Sequence, residues 1–490
     1  MSALAPLLFS IVLTTSGAAA PSGGVPELVP PPATPVPEPS PSPSPSPEPE
    51  PAPTAEPTGA ASRAVELFSL LHGSLLEDFR VESPDHAPAD VERARTILSV
   101  RADVTSSHSG AVLDARASWL GHPPTGEARL TAPHTPLRLD ADAVFLEARA
   151  RTGLGRLRVR AGVQTIRWGS GLLFNPTSVV NPPDLDDPLR FGAPLGNAML
   201  RAEWLSPVHV DAVLVPWFRP PLLPEVDDRR ALLASGVAAA ESIARDPSWS
   251  IAVDSRAPDP PRTVGEMAGA LRVSTRIPVV DVDASVMGYT GRMAVPQLAS
   301  ADLTADFAAH ALSGTATLAW PRQSVAGADL AGQIPLGSWG DLGAWAEGAW
   351  VMPEPMRQDL TVNGIPGTTR ILTEPYARAA AGIDHTFAGE SYLALEYVRG
   401  FPDEVGAPAQ REYALAIFDR PLFASRAHVR VVALSSLSDA SALLSPELSV
   451  TADAVTLSLA AWAGIGRREN RLGYDRVGPP VGVARASLSF

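Results

Sequence analysis

The strongest constraint on the fold is a two-residue alternation of apolar and polar side chains, which is clearest between residues 144 and 164. One set of alternate positions is apolar: Val144, Leu146, Ala148, Ala150, Leu157, Val159, Ala161 and Val163. The other set is charged or polar: Glu147, Arg149, Arg151, Arg156, Arg158, Arg160 and Gln164. Because side chains alternate between the two sides of a β-strand, the pattern predicts two antiparallel strands joined by a turn at 152–155.

The same alternation recurs along most of the chain and predicts an antiparallel sheet of many short strands. Residues 95–104 and 111–119 form a second pair of this kind. Further pairs occur at 200–215, 267–288, 376–398, 412–434 and 447–463. Such a sheet is compatible with a β-sandwich or with a barrel.

Three features favour a membrane-spanning barrel. Many segments are about 9–11 residues long, the length of a tilted transmembrane strand. Their apolar face is mostly Ala, Val and Leu, which suits lipid, whereas the opposite face carries charge, which suits a wet lumen. No run of about 18 apolar residues is present, so a spanning helix is not expected. We predict an all-β fold, a transmembrane antiparallel up-and-down barrel over residues 61–490, with about 16 strands in a range of about 14–18.

Composition excludes several classes of protein. The chain has no cysteine, which rules out disulfides, thiolate metal sites and catalytic thiols. Its net charge of −14 argues against a nucleic-acid partner. All 39 basic residues are arginine, so the use of Arg in place of Lys carries no information about ligands. With no G-x-S-x-G turn, P-loop or H-x-x-x-H pair, we predict no enzyme activity, catalytic residue, cofactor or metal.

The N-terminal residues predict export and a spacer. Residues 1–20 have an apolar stretch followed by Gly17 and three alanines, which is typical of a secretory signal peptide. Residues 21–60 contain Pro-Ser and Pro-Glu repeats, which predict a disordered periplasmic linker. Two roles for this linker remain open, a plain spacer and a tether to the cell wall or to a periplasmic partner.

Residues 219–262 interrupt the alternation. They are Pro-rich at both ends, and acidic residues precede a helical stripe that includes Leu232, Val237 and Ile243. We predict a long loop with a short helix. It either packs on itself or folds into the lumen as a constriction.

The most distinctive motif begins at Gly162 and continues through Gln164, Trp168 and Gly169 into a loop with two Asn-Pro steps and an aspartate, formed by Asn175, Pro176, Asn181, Pro182 and Asp184. This G-x-Q-x-x-x-W-G pattern resembles a family of porin-like Gram-negative outer-membrane barrels that are related to alginate-export-like barrels. The motif resemblance covers residues 162–190, and elsewhere it is one of architecture. It implies an outer-membrane barrel, a channel or an export route, and brings no known substrate.

Residue chemistry gives the motif two possible roles. Gln164 continues the charged face and is expected to point into the lumen, whereas Asn175, Asn181 and Asp184 are expected to shape the loop through bonds to backbone. The alternative is contact with a solute at a constriction. The carboxylates Asp184, Asp186 and Asp187 could attract a hard cation, but their spacing matches no EF-hand loop.

The arginines around Glu147 also have two roles open to them. Arg149, Arg151, Arg156, Arg158 and Arg160 would line one wall of the lumen, where charged side chains set selectivity. Alternatively, they pair across strands and fill a plugged interior.

The last strand predicts the route of assembly. From Gly482 to Phe490, apolar Ala484, Ala486, Leu488 and Phe490 alternate with other residues up to a terminal aromatic. This resembles the signal by which the barrel-insertion machinery recognises its clients. The strand is expected to close the barrel against a first strand near residues 66–80, in the outer membrane of a Gram-negative bacterium and in contact with its lipid.

Three functions are compatible with these features. The first is a porin-like passive channel or export barrel for a small solute or polymer, with selectivity from charges that face the lumen. The second is a non-conducting structural or binding barrel tethered through residues 21–60. The third is a secreted soluble β-sandwich or adhesin.

Overall fold

The structure is a computed structural model that describes residues 71–83, 90–122, 137–185, 192–222, 248–278, 281–468, 470–473 and 477–490. The predicted signal peptide, the Pro-rich linker and the helix expected near residue 235 lie outside these residues. Within them, no helix is long and apolar enough to cross a membrane.

The described residues form twenty-five strands. In chain order they are β1 (Leu71–Glu82), β2 (Asp90–Thr105), β3 (Ser109–His122), β4 (Leu137–Thr152), β5 (Gly155–Gln164), β6 (Pro183–Asp184), β7 (Ala193–Pro194), β8 (Asn197–Leu205), β9 (Val208–Val215), β10 (Ser250–Arg256), β11 (Ala268–Ile277), β12 (Val282–Arg292), β13 (Gln297–Asp306), β14 (Ala311–Ala319), β15 (Arg322–Pro335), β16 (Asp341–Pro353), β17 (Met356–Val362), β18 (Ile365–Ile371), β19 (Tyr376–Thr386), β20 (Tyr392–Arg399), β21 (Glu412–Leu422), β22 (Ala427–Ser436), β23 (Ser441–Ala452), β24 (Val455–Ile465) and β25 (Val481–Ser489). Short 3₁₀ turns occupy Val264–Glu266, Gly337–Trp339 and Ala407–Ala409.

Eighteen of these strands form one closed antiparallel barrel. Its order is β1, β2, β3, β4, β5, β8, β9, β11, β12, β15, β16, β19, β20, β21, β22, β23, β24 and β25, and β25 pairs back onto β1. The prediction of a barrel is confirmed. The strand number is at the top of the expected range and exceeds the expected 16, because eight connections at one end have only two to five residues and leave more of the chain for strands.

The two ends of the barrel differ in their connections. Eight hairpins at one end have connections of only two to five residues, such as 153–154 between β4 and β5. The connections at the other end are longer, except for the four residues 437–440 between β22 and β23. Strand β1 begins and strand β25 ends at the short-turn end. There the Gly73 amide donates to the Phe490 carbonyl at 2.7 Å, and the Phe490 amide donates to the Gly73 carbonyl at 2.9 Å. The predicted closure by the last strand is therefore observed.

The wall separates apolar from charged side chains as the alternation predicts. On β4, Leu146 faces outward and is 70% exposed, whereas the neighbouring Glu147 faces the lumen and is 7% exposed. On β24, Leu457 and Leu459 face outward in the same way. An apolar outer face around a polar interior is the arrangement of a barrel that stands in lipid.

A second sheet of five strands lies at the long-connection end. Its order is β10, β14, β13, β17 and β18. Its strands come from three connections of the barrel, those between β9 and β11, between β12 and β15, and between β16 and β19. Strand β10 lies within residues 219–262, so part of the segment that was expected to be a self-packed loop or a lumen constriction is a strand of this outer sheet.

Candidate constriction and pore wall

Residues 165–196 connect β5 to β8. The described part of this connection, residues 165–185 and 192–196, leaves the wall and crosses the lumen, and we call it the crossing segment. Both of its ends are fixed by Asn181. The Asn181 carboxamide oxygen accepts a hydrogen bond from the Ile166 amide at 2.8 Å, and its nitrogen donates to the carbonyls of Gln164 at 2.9 Å and Leu195 at 2.7 Å. One side chain therefore ties the outgoing and returning strands together, as Asx residues often do.

Gln164 and Trp168 of the motif hold the start of the crossing segment against the wall. The Gln164 side chain is inward, as expected, but it is 2% exposed and donates to the Met199 carbonyl at 3.2 Å. The indole of Trp168, also 2% exposed, donates from Nε1 to Asp211 Oδ2 on β9 at 3.1 Å. A buried indole N–H usually has such a partner, so this tryptophan has a defined orientation.

Three carboxylates on the far wall hold the tip of the crossing segment. Glu396 on β20 accepts hydrogen bonds from the amides of Leu172 and Leu173 at 3.1 and 2.9 Å. Glu347 on β16 accepts from the Gly171 amide at 3.2 Å and from the Thr177 hydroxyl at 2.8 Å. Asp329 on β15 accepts from the Ser170 hydroxyl at 2.8 Å. A hydrogen bond inside a protein contributes about 0.5–1.5 kcal/mol net, so several of them together fix the tip firmly.

Two glycines permit this close approach to the carboxylates. Gly169 has φ of +88°, and a Cβ there would lie 2.1 Å from Glu347 Oε2. A Cβ on Gly171 would lie 2.5 Å from the Phe174 carbonyl and 2.7 Å from Glu347 Oε1. A larger residue at either position would push the segment away from the wall.

A cavity of about 170 Å³ lies above the crossing segment, at the long-connection end. Its polar wall contains four arginines and a carboxylate: Arg167, Arg219, Arg292, Arg378 and Glu266. Arg292 pairs with Glu266 at 2.5 Å, and Arg378 donates to the Glu404 carbonyl at 3.0 Å. Phe174, Phe218 and Tyr289 supply apolar surface. The cavity has the mixed lining that is usual in small-molecule sites.

A network of ion pairs covers the lumen wall from β4 to β9. Glu147 is bonded by Arg149 and, at 2.6 Å, by Arg160. Arg160 also approaches Glu203 at 3.4 Å, and Arg158 approaches Glu203 at 3.6 Å. The network continues through Arg201, which lies 3.1 Å from Glu203 and 2.7 Å from Asp211. Arg158 and Arg160 thus pair with carboxylates on neighbouring strands, whereas Arg149 pairs with a carboxylate of its own strand.

In this network the arginine side chains are more exposed to water than the carboxylates. The side chains of Arg149 and Arg158 are 36% and 28% exposed, whereas those of Glu147 and Glu203 are 5% and 6% exposed. The carboxylates lie against the wall, and the guanidinium groups cover them. The surface that a solute would meet on this side is therefore cationic, although the chain as a whole is acidic.

The remaining predicted residues occupy different surroundings. Arg151 and Arg156 lie opposite each other beside the 153–154 turn, where both are exposed. Asn175, Pro182 and Asp184 are buried within the crossing segment, and Asp184 pairs with Ala193 between β6 and β7. Gly162 has φ of +134° and lies against the backbone of β4. At the C-terminus, Leu488 faces outward on β25 and pairs with Leu75 on β1.

Asp186 and Asp187 lie outside the described residues, so the structure does not test their grouping with Asp184. In the part of the chain that is described, no group of three or more histidine or acidic side chains is arranged to hold a metal ion.

The carboxylates of the far wall were missed by the sequence analysis. Glu347 and Glu396 are single charges in otherwise apolar alternating strands, within Trp345–Val351 and Ala394–Val398. A lone inward carboxylate in such a strand has to find a partner inside the barrel. That signal was present in the sequence, but it does not say which segment supplies the donors.

The fold and the lumen define a class. A closed antiparallel barrel with an even number of strands, short turns at one end, long connections at the other and an apolar outer face is an outer-membrane-type β-barrel. The chain is therefore assigned to the outer membrane of a Gram-negative bacterium.

Comparisons with known proteins give similar architectures. No model of a protein family matches the sequence, and no curated protein matches it. Among solved structures, OccAB1 of Acinetobacter baumannii is 11% identical, with coverage of 86% of this chain and 96% of that chain and a TM-score of 0.48. OpdQ of Pseudomonas aeruginosa is 10% identical over 86% and 96%, with a TM-score of 0.43.

OpdK of Pseudomonas aeruginosa, solved with vanillate, is 10% identical over 86% of this chain and 98% of that chain, with a TM-score of 0.44. These likenesses concern the course of the chain and carry no inference about a solute. Evidence on function has to come from the lumen itself.

Proposed function

We propose that the protein is a porin-like passive channel of the outer membrane in which the crossing segment sets the width of the pore. The observation that carries the proposal is the docking of Leu172 and Leu173 onto Glu396 across the lumen. A segment fixed at both its base and its tip divides the interior into a mouth and a lower lumen. It narrows the passage without needing a separate plug domain.

Selectivity in this proposal comes from the arginines of the lumen wall. Arg149, Arg158 and Arg160 present guanidinium groups to water, while their carboxylate partners lie behind them. Rings or ladders of one charge favour ions of the opposite sign in a pore. The four arginines of the cavity at the long-connection end, which we call the mouth cavity, extend this cationic surface outward. We therefore expect the channel to prefer small anionic solutes.

Planar-bilayer recording of the purified full-length protein tests the channel. We expect discrete conductance steps and, under a KCl gradient, a reversal potential that indicates chloride permeating faster than potassium. Liposomes with entrapped reporter would show solute entry in parallel. A folded, heat-modifiable barrel with neither conductance nor uptake would instead support the non-conducting structural barrel. The structure excludes the secreted β-sandwich, because the sheet closes into a barrel. A barrel that stays soluble without detergent would contradict its placement in the membrane.

Further parts of the proposal concern assembly and partners. We infer that Leu488 and Phe490 form the signal read by the barrel-insertion machinery, because they end an alternating strand that closes the barrel. We also propose kinship with porin-like and alginate-export-like barrels on the G-x-Q-x-x-x-W-G motif, whose Gln164 and Trp168 hold the base of the crossing segment in this structure. Attachment of residues 21–60 to the cell wall or to a periplasmic partner stays a prediction.

A further inference from the structure

The lumen wall ends, at the short-turn end of β4 and β5, in two rows of arginines. Arg151 lies directly opposite Arg156, and in the next row on the same face Arg149 lies directly opposite Arg158. We call these four residues the arginine rim. Like charges that face each other across neighbouring strands destabilise a sheet. An anion that binds between the rows would remove this repulsion.

The two rows differ in the carboxylates available to them. The inner row is balanced by Glu147 and Glu203, the latter at 3.6 Å from Arg158. In the outer row, Arg151 and Arg156 are exposed, and no acidic side chain among the described residues pairs with either of them. The outer row therefore carries unbalanced positive charge where the lumen opens at the short-turn end.

The N-terminal part of the chain carries the opposite charge. Residues 21–60 contain five glutamates and no basic residue. Three of the glutamates, Glu48, Glu50 and Glu56, lie within residues 48–56, which we call the acidic stretch. Its sequence alternates these residues with prolines, and Pro-rich sequence favours the preformed polyproline II conformation, which loses little entropy when it binds. The acidic stretch therefore has the charge and the low ordering cost of a ligand for the arginine rim.

The acidic stretch is also close enough to reach the rim. Strand β1 begins at Leu71 at the short-turn end, and the strand register places Leu71 level with Val144 on β4. Three strand spacings of about 4.8 Å, and about 23 Å along β4, give a separation of about 27 Å between Leu71 and Arg151. The chain from Glu56 to Leu71, about 15 residues, extends to about 50 Å. Such a tether keeps the acidic stretch at an effective concentration on the order of mM near the rim.

We propose that the acidic stretch folds back into the short-turn opening and binds the arginine rim, as an anionic ligand that the chain itself supplies. A small anion at this end of the lumen then competes with the acidic stretch for the same guanidinium groups. The binding rests on the barrel alone, and only its effect on ion flow rests on the proposed channel. The competing occupants of residues 21–60 are the cell wall and a periplasmic partner.

A distance between two spin labels on the full-length protein in nanodiscs tests the proposal. Because the chain has no cysteine, Ala52→Cys and Leu154→Cys give one label in the acidic stretch and one at the β4–β5 turn, with no other labelled site. At low salt, double electron–electron resonance should show a narrow population of short distances, whereas an unbound segment of about 20 residues gives a broad distribution. At about 1 M KCl the Debye length falls to about 3 Å, so the short-distance population should be lost.

Variants of either partner provide the second arm. Arg151→Gln/Arg156→Gln should abolish the short-distance population, and so should replacement of the three glutamates of the acidic stretch by glutamine. Reversing both sets of charges, from Arg to Glu in the outer row and from Glu to Arg in the acidic stretch, should restore it. Arg276→Gln, at another turn of the same end with a side chain that is 65% exposed, is the matched control. Heat-modifiable gel mobility verifies that each variant is folded.

Three results would overturn the proposal: a broad distribution at low salt, a short-distance population that survives Arg151→Gln/Arg156→Gln, or one that is lost equally in Arg276→Gln. A broad distribution together with retention of the protein on isolated peptidoglycan would assign residues 21–60 to the cell wall instead. If the arginine variant does not fold, the salt dependence of the labelled protein still decides. No distance depends on ion flow, so failed docking and a failed channel are distinguishable.

Discussion

The carboxylate of Glu396 accepts a hydrogen bond from the amide of Leu173 at 2.9 Å, although the two residues belong to nearly opposite sides of the barrel. Seven strands separate β5 from β20 in one direction round the wall, and nine separate them in the other. A contact of this kind holds the crossing segment in the middle of the lumen. It also gives the proposed channel a small number of hydrogen bonds whose loss should change the width of the pore.

Removing the Glu396 carboxylate should widen or loosen the pore. In Glu396→Ala, the amides of Leu172 and Leu173 lose their acceptor, and leaving a buried donor unsatisfied costs about 1–3 kcal/mol. We expect higher single-channel conductance and more frequent current fluctuations in bilayer recordings. Glu412→Ala on β21, whose side chain is 47% exposed, is the matched control. Equal conductance of the two variants would contradict a constricting role.

Adding a methyl group at Gly169 should displace the crossing segment. A Cβ would collide with Glu347 Oε2, and the φ of +88° is unfavourable for other residues by about 1–3 kcal/mol. We expect Gly169→Ala to lower the temperature at which half of the protein loses the gel mobility of the folded barrel. We also expect it to alter the single-channel conductance. Gly153→Ala has open space around the added methyl and should change neither quantity. A stable Gly169→Ala channel with unaltered conductance would show that the close contact between Gly169 and Glu347 is not needed to hold the crossing segment.

Neutralising Arg158 should reduce the preference for anions. This side chain is 28% exposed, and its carboxylate partners lie at 3.6 and 3.9 Å, so it can be replaced at little structural cost. In Arg158→Gln, the reversal potential under a KCl gradient should move toward that of a non-selective pore. Arg276→Gln, at the β11–β12 turn with a side chain that is 65% exposed, should leave the potential unchanged. A shift of the same size in both variants would assign selectivity to overall charge.

Breaking the seam between the first and last strands should impair assembly. The Phe490 ring covers Gly73, where a Cβ would lie 2.4 Å from two ring atoms. We expect Gly73→Val and Phe490→Ser to reduce the fraction of protein that is heat-modifiable in isolated outer membranes. Phe423→Ser, an exposed aromatic at the turn between β21 and β22, serves as the control. Normal insertion of the Phe490→Ser variant would show that the terminal aromatic side chain is not part of the insertion signal.

Acidic pH should stabilise the loop between β20 and β21. Burial raises the pKa of Glu404, and the nearby Asp403 raises it further, against the opposing effect of Arg471 and of the hydrogen bond donated by Tyr413. The folded loop therefore retains a proton that the opened loop releases. Its stability is fully present below the ordinary value of 4.5 and falls as pH rises through the raised pKa.

Hydrogen exchange of the amides of residues 400–411 measures this effect. Protection should decrease with rising pH after correction for the intrinsic exchange rate. Glu404→Gln should flatten the dependence, whereas Glu412→Gln should preserve it. A dependence that survives in Glu404→Gln would assign the effect to another group.

The repeated alternation predicted the barrel well because it reports directly on which side of a strand meets lipid. The hairpin expected at 144–164 is β4 and β5, and its charged face is the lumen wall. The outer sheet could not be separated from the barrel in the same way. Ala301 and Leu303 on β13 are buried at alternate positions much like barrel residues, so the period alone does not reveal which sheet a strand joins.

The crossing segment was harder to predict for a different reason. Most donors at its tip are main-chain amides, as at Leu172 and Leu173, and these leave no side-chain pattern in the sequence. The motif residues were recognised, but the distant acceptors Glu347 and Glu396 come more than 150 residues later, as the separations of 176 and 224 positions show. A local pattern cannot specify a partner at that distance.

Docking through the main chain has an evolutionary consequence. The amides of residues 171–173 would be available whatever side chains these positions carry, so only the glycines and the acceptors are tightly constrained. Leu172 and Phe174 line the mouth cavity beside this anchored backbone. Related chains could therefore vary the side chains that contact a solute while keeping the same anchored crossing segment. New solute preferences could then arise without a change in the barrel.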